Sequence, residues 1–313
     1  HRESTPGKVR SGKPQAFAYS VPVVCDKTQK VSHVRFRVKA TACQGTHGSQ
    51  DGLAICMRCM ASYPMTMDEL KVPQGIRDLA FPASGIVIVT GETGSGKTTL
   101  LGSFIREKAT QELPVHIVTY EDPIEYDYRS IPNKTAIIAQ TEVGEMIGSF
   151  DDAIPDAMRR NPDIIKVGEV SEEKGIKNAL LAGQSGHLVY TTVHAEGVAI
   201  TFSRMVTAFP HEAQAGVMQS LIASTRGIIH QRLLNKKDGG RIPVQEWLEI
   251  GRDEREILLD VPVKEITSTL ERLVEERGQP LLRDLESKKD LIDEVDYKLN
   301  RRSLIKNEFK KEE

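Results

Sequence analysis

Eight consecutive residues, Gly91-Glu92-Thr93-Gly94-Ser95-Gly96-Lys97-Thr98, have the spacing GxxxxGK[ST]. Glycines at those positions let a backbone curl until several amide N–H groups aim at one centre. The densely charged phosphates of ATP or ADP are the ligand such a cradle suits. Lys97 would reach the β- and γ-phosphates, and the Thr98 hydroxyl would ligate Mg²⁺. Thr98 and Thr99 begin TTLLGSFIREK, a helical stretch whose N-terminal amides add positive potential. The run before the loop, IVIVT, is β-branched and reads as a strand, so the strand–loop–helix context that the motif requires is present.

Hydrolysis at such a loop needs a group that orients or deprotonates water, and polar groups around the metal. Three further strand-like runs end in such residues. Glu121, Asp122 and Glu125 follow VHIVT; Gly168 and Glu169 follow DIIKV; His194 follows GHLVYTTV. Taken singly, each has a plain structural explanation. Glu121 and Asp122 can open a turn before Pro123, Glu169 can cap the helix that follows, and His187 and His194 can be satisfied core histidines. Together they place polar clusters at the carboxyl ends of several strands, the edge at which open parallel sheets bind ligands.

These clusters need a sheet to hold them. From 85 to about 250, the apolar runs GIVIVT, VHIVTY, TAIIAQ, DIIKVGE and GHLVYTTVH alternate with helical stretches, which predicts an α/β fold with a mostly parallel sheet. Lys166 interrupts one of these runs at a position that is otherwise aliphatic. Upstream, VSHVRFRVKAT (31–41) alternates like a half-solvated antiparallel strand, TACQGTHGSQDG reads as a loop, and LAICMRCMASY is a short apolar element of either type. Residues 1 to about 20 are expected to be loose, 71–84 to form a linker containing the start of a helix, and 262–313 to form a charged helical tail with a solvated face.

The totals set limits on function. With 313 residues the chain has room for two domains, and 39% hydrophobic with 27% charged residues is a globular balance. A net charge of -2 supplies no global positive field for nucleic acid or anionic lipid. No apolar run is long enough to span a bilayer, and no apolar signal region follows His1, so a cytoplasmic protein is expected. The spacing Cys56-Met57-Arg58-Cys59 would suit half a zinc site or a redox pair. Cys25 and Cys43 form no second tight knuckle, however, and free thiols in an apolar stretch are expected.

EDPIE, RRNPDIIKVGE, GHLVYTTVHA, SRMVTAFP and IIHQRLL closely resemble the ordered motifs of secretion ATPases of the PilT/GspE/VirB11 type. The resemblance spans roughly 31 to 250. It implies a RecA-like P-loop NTPase domain over 85–261 and a smaller PAS-like α+β domain over 1–70, incomplete at its start. It implies that Glu121, Asp122 and Glu125 form an Asp box that helps hold Mg²⁺ and position water. Glu169 would be the general base, and His187 and His194 the histidines of a His box, with His194 sensing the γ-phosphate. Arg35, Arg37 and Arg58 would neutralise transition-state charge when the small domain closes. A homohexameric ring is implied, docked peripherally on inner-membrane components of a secretion complex. GEVSE and QTEVG each lack an arginine usual in pilus retraction motors, and IPVQEWLEI is closer to the DotB/TraJ branch that serves type IVB (Dot/Icm or conjugal) systems. A pilus motor is the nearest alternative. A nucleic-acid-translocating ring is the alternative of another class, disfavoured by 5% aromatic residues and balanced charge.

Overall fold

The structure, a computed structural model, describes residues 15–24, 31–44, 52–60, 63–144 and 146–309. The amino-terminal part is an antiparallel meander of β1 (Gln15–Val24), β2 (Val31–Cys43) and β3 (Gly52–Met60). Two local expectations change here. The segment expected to be loose is strand from Gln15 onward, and β2 continues to Cys43, into the expected loop. LAICMRCM is the strand β3. Its alternation sends Cys56 and Cys59, three apart, to opposite faces, so they make no knuckle. Both thiols are free and exposed rather than packed as small hydrophobes. Cys25 and residues 1–14 lie outside the described residues.

A seven-stranded sheet carries the rest, in the order β10-β9-β4-β8-β7-β5-β6. β4 (Gly85–Thr90), β5 (His116–Glu121), β6 (Ile137–Glu142), β7 (Ile164–Glu169) and β8 (Leu188–Val193) run parallel; β9 (Thr225–Asn235) joins β4 in parallel, and β10 (Arg241–Glu249) closes the edge antiparallel to it. Every residue of β4 and β8 is buried, which explains their unbroken apolar character. Alternation divides the core into two layers. Ile86 and Ile88 face one side with α3 (Phe150–Arg159), α4 (Glu173–Gln184), α5 (Thr201–Val206) and α6 (His211–Ser224); Val87 and Val89 face the other with α2 (Lys97–Ala109).

The linker is part of that second layer. Met67, Val72 and, from α1 (Gln74–Leu79), Ile76 and Leu79 pack against Val87, Phe104 and Ile229. The tail is likewise built into the core. After α7 (Arg252–Asp260), α8 (Ile266–Arg277) buries Leu270, Leu273 and Val274 in the first layer, while Leu281 and Leu285 of α9 (Leu281–Ser287) pack on Leu234 and Val244. The division expected at 262 therefore does not separate two cores. Among the described residues, α10 (Glu294–Phe309) keeps a largely solvated face, with Val295 and Leu299 exposed.

Candidate nucleotide-binding site

The phosphate loop joins β4 to α2 at the carboxyl edge of the sheet. Gly91, Gly94 and Gly96 have φ of 142, 82 and 88°, a region that disfavours side chains. At Gly91 a Cβ would also lie 2.3 Å from the Gln231 carbonyl, so this position excludes any other residue twice over. Gly96 immediately precedes α2, leaving the amides of Lys97, Thr98 and Thr99 as the unpaired first turn. Lys97 is buried, and its Nζ donates to the Gly91 and Glu92 carbonyls at 2.7 and 2.9 Å. Burial lowers its pKa, opposed by the Glu169, Glu125 and Glu92 carboxylates. Thr99 Oγ1 meets Tyr126 Oη at 3.1 Å, and Gln231 Nε2 donates to the Ser95 carbonyl at 2.5 Å, pinning the loop to β9.

Thr93, Gly94, Gly96, Lys97, Thr98 and Thr99 line a cleft of about 540 Å³, and the predicted acidic and histidine residues converge on it. Glu169 is exposed into this space and its Oε2 lies 2.8 Å from His194 Nε2. Glu125 Oε1 accepts from Arg37 Nη1 at 3.2 Å, which ties the small sheet to the large one. Arg58 lies directly across from Arg37 in the β2–β3 register and lines the same cleft. Two like charges placed opposite on neighbouring strands repel, so the pair suits an anionic ligand between the two sheets. Asp122 is exposed in the cleft, with no ion-pair partner among the described residues. Arg35 sits at the register position of Ser20 and Met60, and its side chain lies outside the described residues.

Three placements differ from expectation. His187 is at the far end of β8 from the phosphate loop, its Nδ1 3.3 Å from the Ala182 carbonyl at the end of α4, so only His194 faces the cleft. His194 addresses Glu169 rather than standing free for a phosphate. Glu121 is buried, its Oε2 paired with Lys166 Nζ at 2.5 Å and its Oε1 accepting from Thr119 Oγ1 at 2.8 Å. Burial works to lower the Lys166 pKa, but the Glu121 carboxylate and the Tyr128 hydroxyl outweigh it and hold the amine above its ordinary value.

The fit to a magnesium-bound nucleotide rests on chemistry of the donors. Among the described residues no three His, Cys, Asp or Glu side chains converge to cage a metal by themselves. Magnesium instead takes one or two protein oxygens together with substrate phosphates and waters. Thr98 and Asp122 beside a cationic, amide-rich loop are suited to that division.

Two residues that the sequence reading passed over also serve the loop. Arg241, opening β10 after the Gly239–Gly240 turn, donates from Nη1 to the Gly94 carbonyl at 3.3 Å and lines the cleft. His230, beneath the loop on β9, is buried with Nδ1 3.1 Å from Thr90 Oγ1. Burial, with Arg232 next, depresses its pKa to about 3. Between about pH 6.5 and 3 the unfolded chain therefore binds a proton that the folded chain refuses, and acidification favours unfolding. The expected loss from this group between pH 7 and 5.5 is about 1 kcal/mol. Urea unfolding at the two pH values checks it: His230→Asn should show a smaller pH difference than the parent protein.

The family model described as Type II/IV secretion system protein matches residues 30–240. The chain belongs to this family. A twitching motility protein of Neisseria gonorrhoeae is 36% identical over 238 residues, covering 76% of this chain and 61% of that protein. The chain thus spans about three fifths of the length of curated relatives such as this one. The solved structure of the Legionella pneumophila ATPase DotB superposes with a TM-score of 0.85 at 34% identity, over 95% of this chain and 79% of that one. The pilus retraction motor PilT with bound ADP superposes with a TM-score of 0.77 at 31% identity, over 94% and 79% of the two chains. The family's α/β, RecA-like fold is therefore that of the sheet described above.

Proposed function

We propose that this chain is an ATP-hydrolysing motor subunit of a type IV secretion system of the Dot/Icm or conjugal kind. One observation carries the reading: Glu169, at the end of β7, opens into the same cleft as Lys97 and Thr98 from the end of β4. Lys97 and the loop amides hold the phosphates. Glu169 orients a water toward the terminal phosphorus and accepts its proton as the new P–O bond forms. The bond to the bridging oxygen breaks, and ADP and phosphate leave. His194 holds the Glu169 carboxylate in that direction. A magnesium ion carried in with the nucleotide would neutralise charge between the β- and γ-phosphates, with Thr98 and Asp122 as its protein oxygens. Arg37 and Arg58 supply positive charge from the small sheet, and the Arg37–Glu125 contact is the joint that a closing small domain would remake.

Subunits of this kind work as a homohexamer at the inner-membrane complex, where domain closure in one subunit pushes on the next. No helix among the described residues is long and apolar enough to cross a membrane. The higher superposition on DotB supports the type IVB branch, whereas the twitching motility relative supports a pilus motor as the second reading.

Phosphate release by the purified protein tests the activity, with Lys97→Ala as the control for the site. Removing one charge-assisted set of phosphate contacts costs about 1.5–3 kcal/mol, so nucleotide binding should weaken about ten- to a hundredfold. Unchanged binding in Lys97→Ala would place the nucleotide elsewhere. Mass in solution with ATP, ADP or neither reads the ring, and salt-sensitive stimulation by single-stranded DNA would favour a nucleic-acid motor instead.

A further inference from the structure

The lysine that breaks the apolar run of β7 has a consequence for the metal site. Lys166 stands opposite Thr119 in the β5–β7 register. Alternation along β5 puts Thr119 and Glu121 on one face, and Lys166 points to that face from β7. Gln140 reaches in from β6, with Nε2 3.4 Å from Glu121 Oε1, and Tyr128 closes the top, with its hydroxyl 3.0 Å from Lys166 Nζ. Both oxygens of Glu121 are thereby engaged. The Lys166 and Glu121 side chains each keep only 4% of their surface open, although both border the floor of the cleft. To turn an oxygen to a metal, Glu121 would have to loosen its hold on a buried cation, which is unfavourable. Asp122, next in the chain and turned out into the cleft, has no such tie among the described residues.

We propose that Lys166 is a positioning residue that clamps Glu121 out of the metal-binding set, so that the Asp box of this chain reaches a nucleotide-bound metal through Asp122 and not through Glu121. Lys166 thus acts through Glu121 and not by touching the metal itself. This rests on the nucleotide reading above, and the test separates the two.

The test follows binding of a fluorescent ATP analogue as magnesium is titrated, in the parent protein, Glu121→Gln, and the double variant Lys166→Met/Glu121→Gln. Melting temperatures are measured for these and for Lys166→Met alone. Glu121→Gln and the double variant should bind the analogue with a magnesium midpoint shifted less than threefold. Lys166→Met, which strands a buried carboxylate, should melt about 10 °C lower, and the double variant should recover most of that loss. A magnesium midpoint moved threefold or more by Glu121→Gln would return Glu121 to the metal and overturn the proposal. So would a double variant that melts as low as Lys166→Met. If Lys166→Met does not fold, the magnesium midpoints of the other two variants decide alone. A parent protein that binds no analogue with magnesium present would instead overturn the nucleotide reading itself.

Discussion

Glu169→Gln should bind ATP with near-parental affinity and hydrolyse it about a hundred- to ten-thousandfold more slowly, the range over which a positioned general base acts. The substitution keeps the shape of the side chain and an oxygen that can still accept from His194 Nε2, now 2.8 Å from the carboxylate. What it removes is the ability to take a proton from water. The phosphate loop is untouched, because Lys97 is anchored to the Gly91 and Glu92 carbonyls and not to Glu169. Phosphate release and equilibrium binding, measured on the same preparation, check both halves. Hydrolysis at the parental rate would mean that another group activates the water and that the convergence of Glu169 on the cleft has been misread.

Arg37→Ala is the second large effect. An arginine aimed at the transferring phosphoryl group can contribute about 10³–10⁵ in turnover. Arg37 is held by Glu125 in the present arrangement, with both side chains partly exposed, and an exposed pair of this kind contributes little to stability. Its removal should therefore leave the melting temperature nearly unchanged while turnover falls by about a thousandfold. Arg37→Lys should restore little, since a point charge lacks the planar fork that addresses phosphate oxygens. Turnover within a few-fold of the parent in Arg37→Ala would assign the stabilising cation elsewhere, with Arg58 and Arg241 the remaining candidates in the cleft.

The parts of this site that were legible before folding are those whose cause is local. A β-branched run, three glycines at defined spacing and a helix-forming stretch specify strand, loop and helix within a few residues, and β4, the loop 91–96 and α2 follow in that order. Glu169 and His194 were legible as polar residues ending apolar strands, because ligand sites in parallel sheets collect at that edge. His187 misled because its residue type resembles that of His194, while it precedes the strand that His194 follows. Lys166 was visible as an anomaly in an apolar run, but its partner was not: Glu121 lies 45 positions away, and strand order brings the two together. The same holds for Arg37 and Glu125, 88 positions apart and on different sheets. The tail was misjudged because its many charges suggested a solvated face, while Leu270, Leu273 and Val274 at helical spacing were completing the core.

The sequence alone determined the class of fold and the loop that would grip a phosphate, since hydrophobic alternation and glycine spacing act over short stretches of chain. Tertiary structure decided which carboxylates are free. Glu121, Glu125 and Glu169 are chemically equivalent in the sequence, yet one is clamped by a buried lysine, one shared with an arginine and one directed by a histidine. Those differences arise from which strands become neighbours and which faces they turn to each other, and a carboxylate's chemistry is set by the charges within a few ångströms of it.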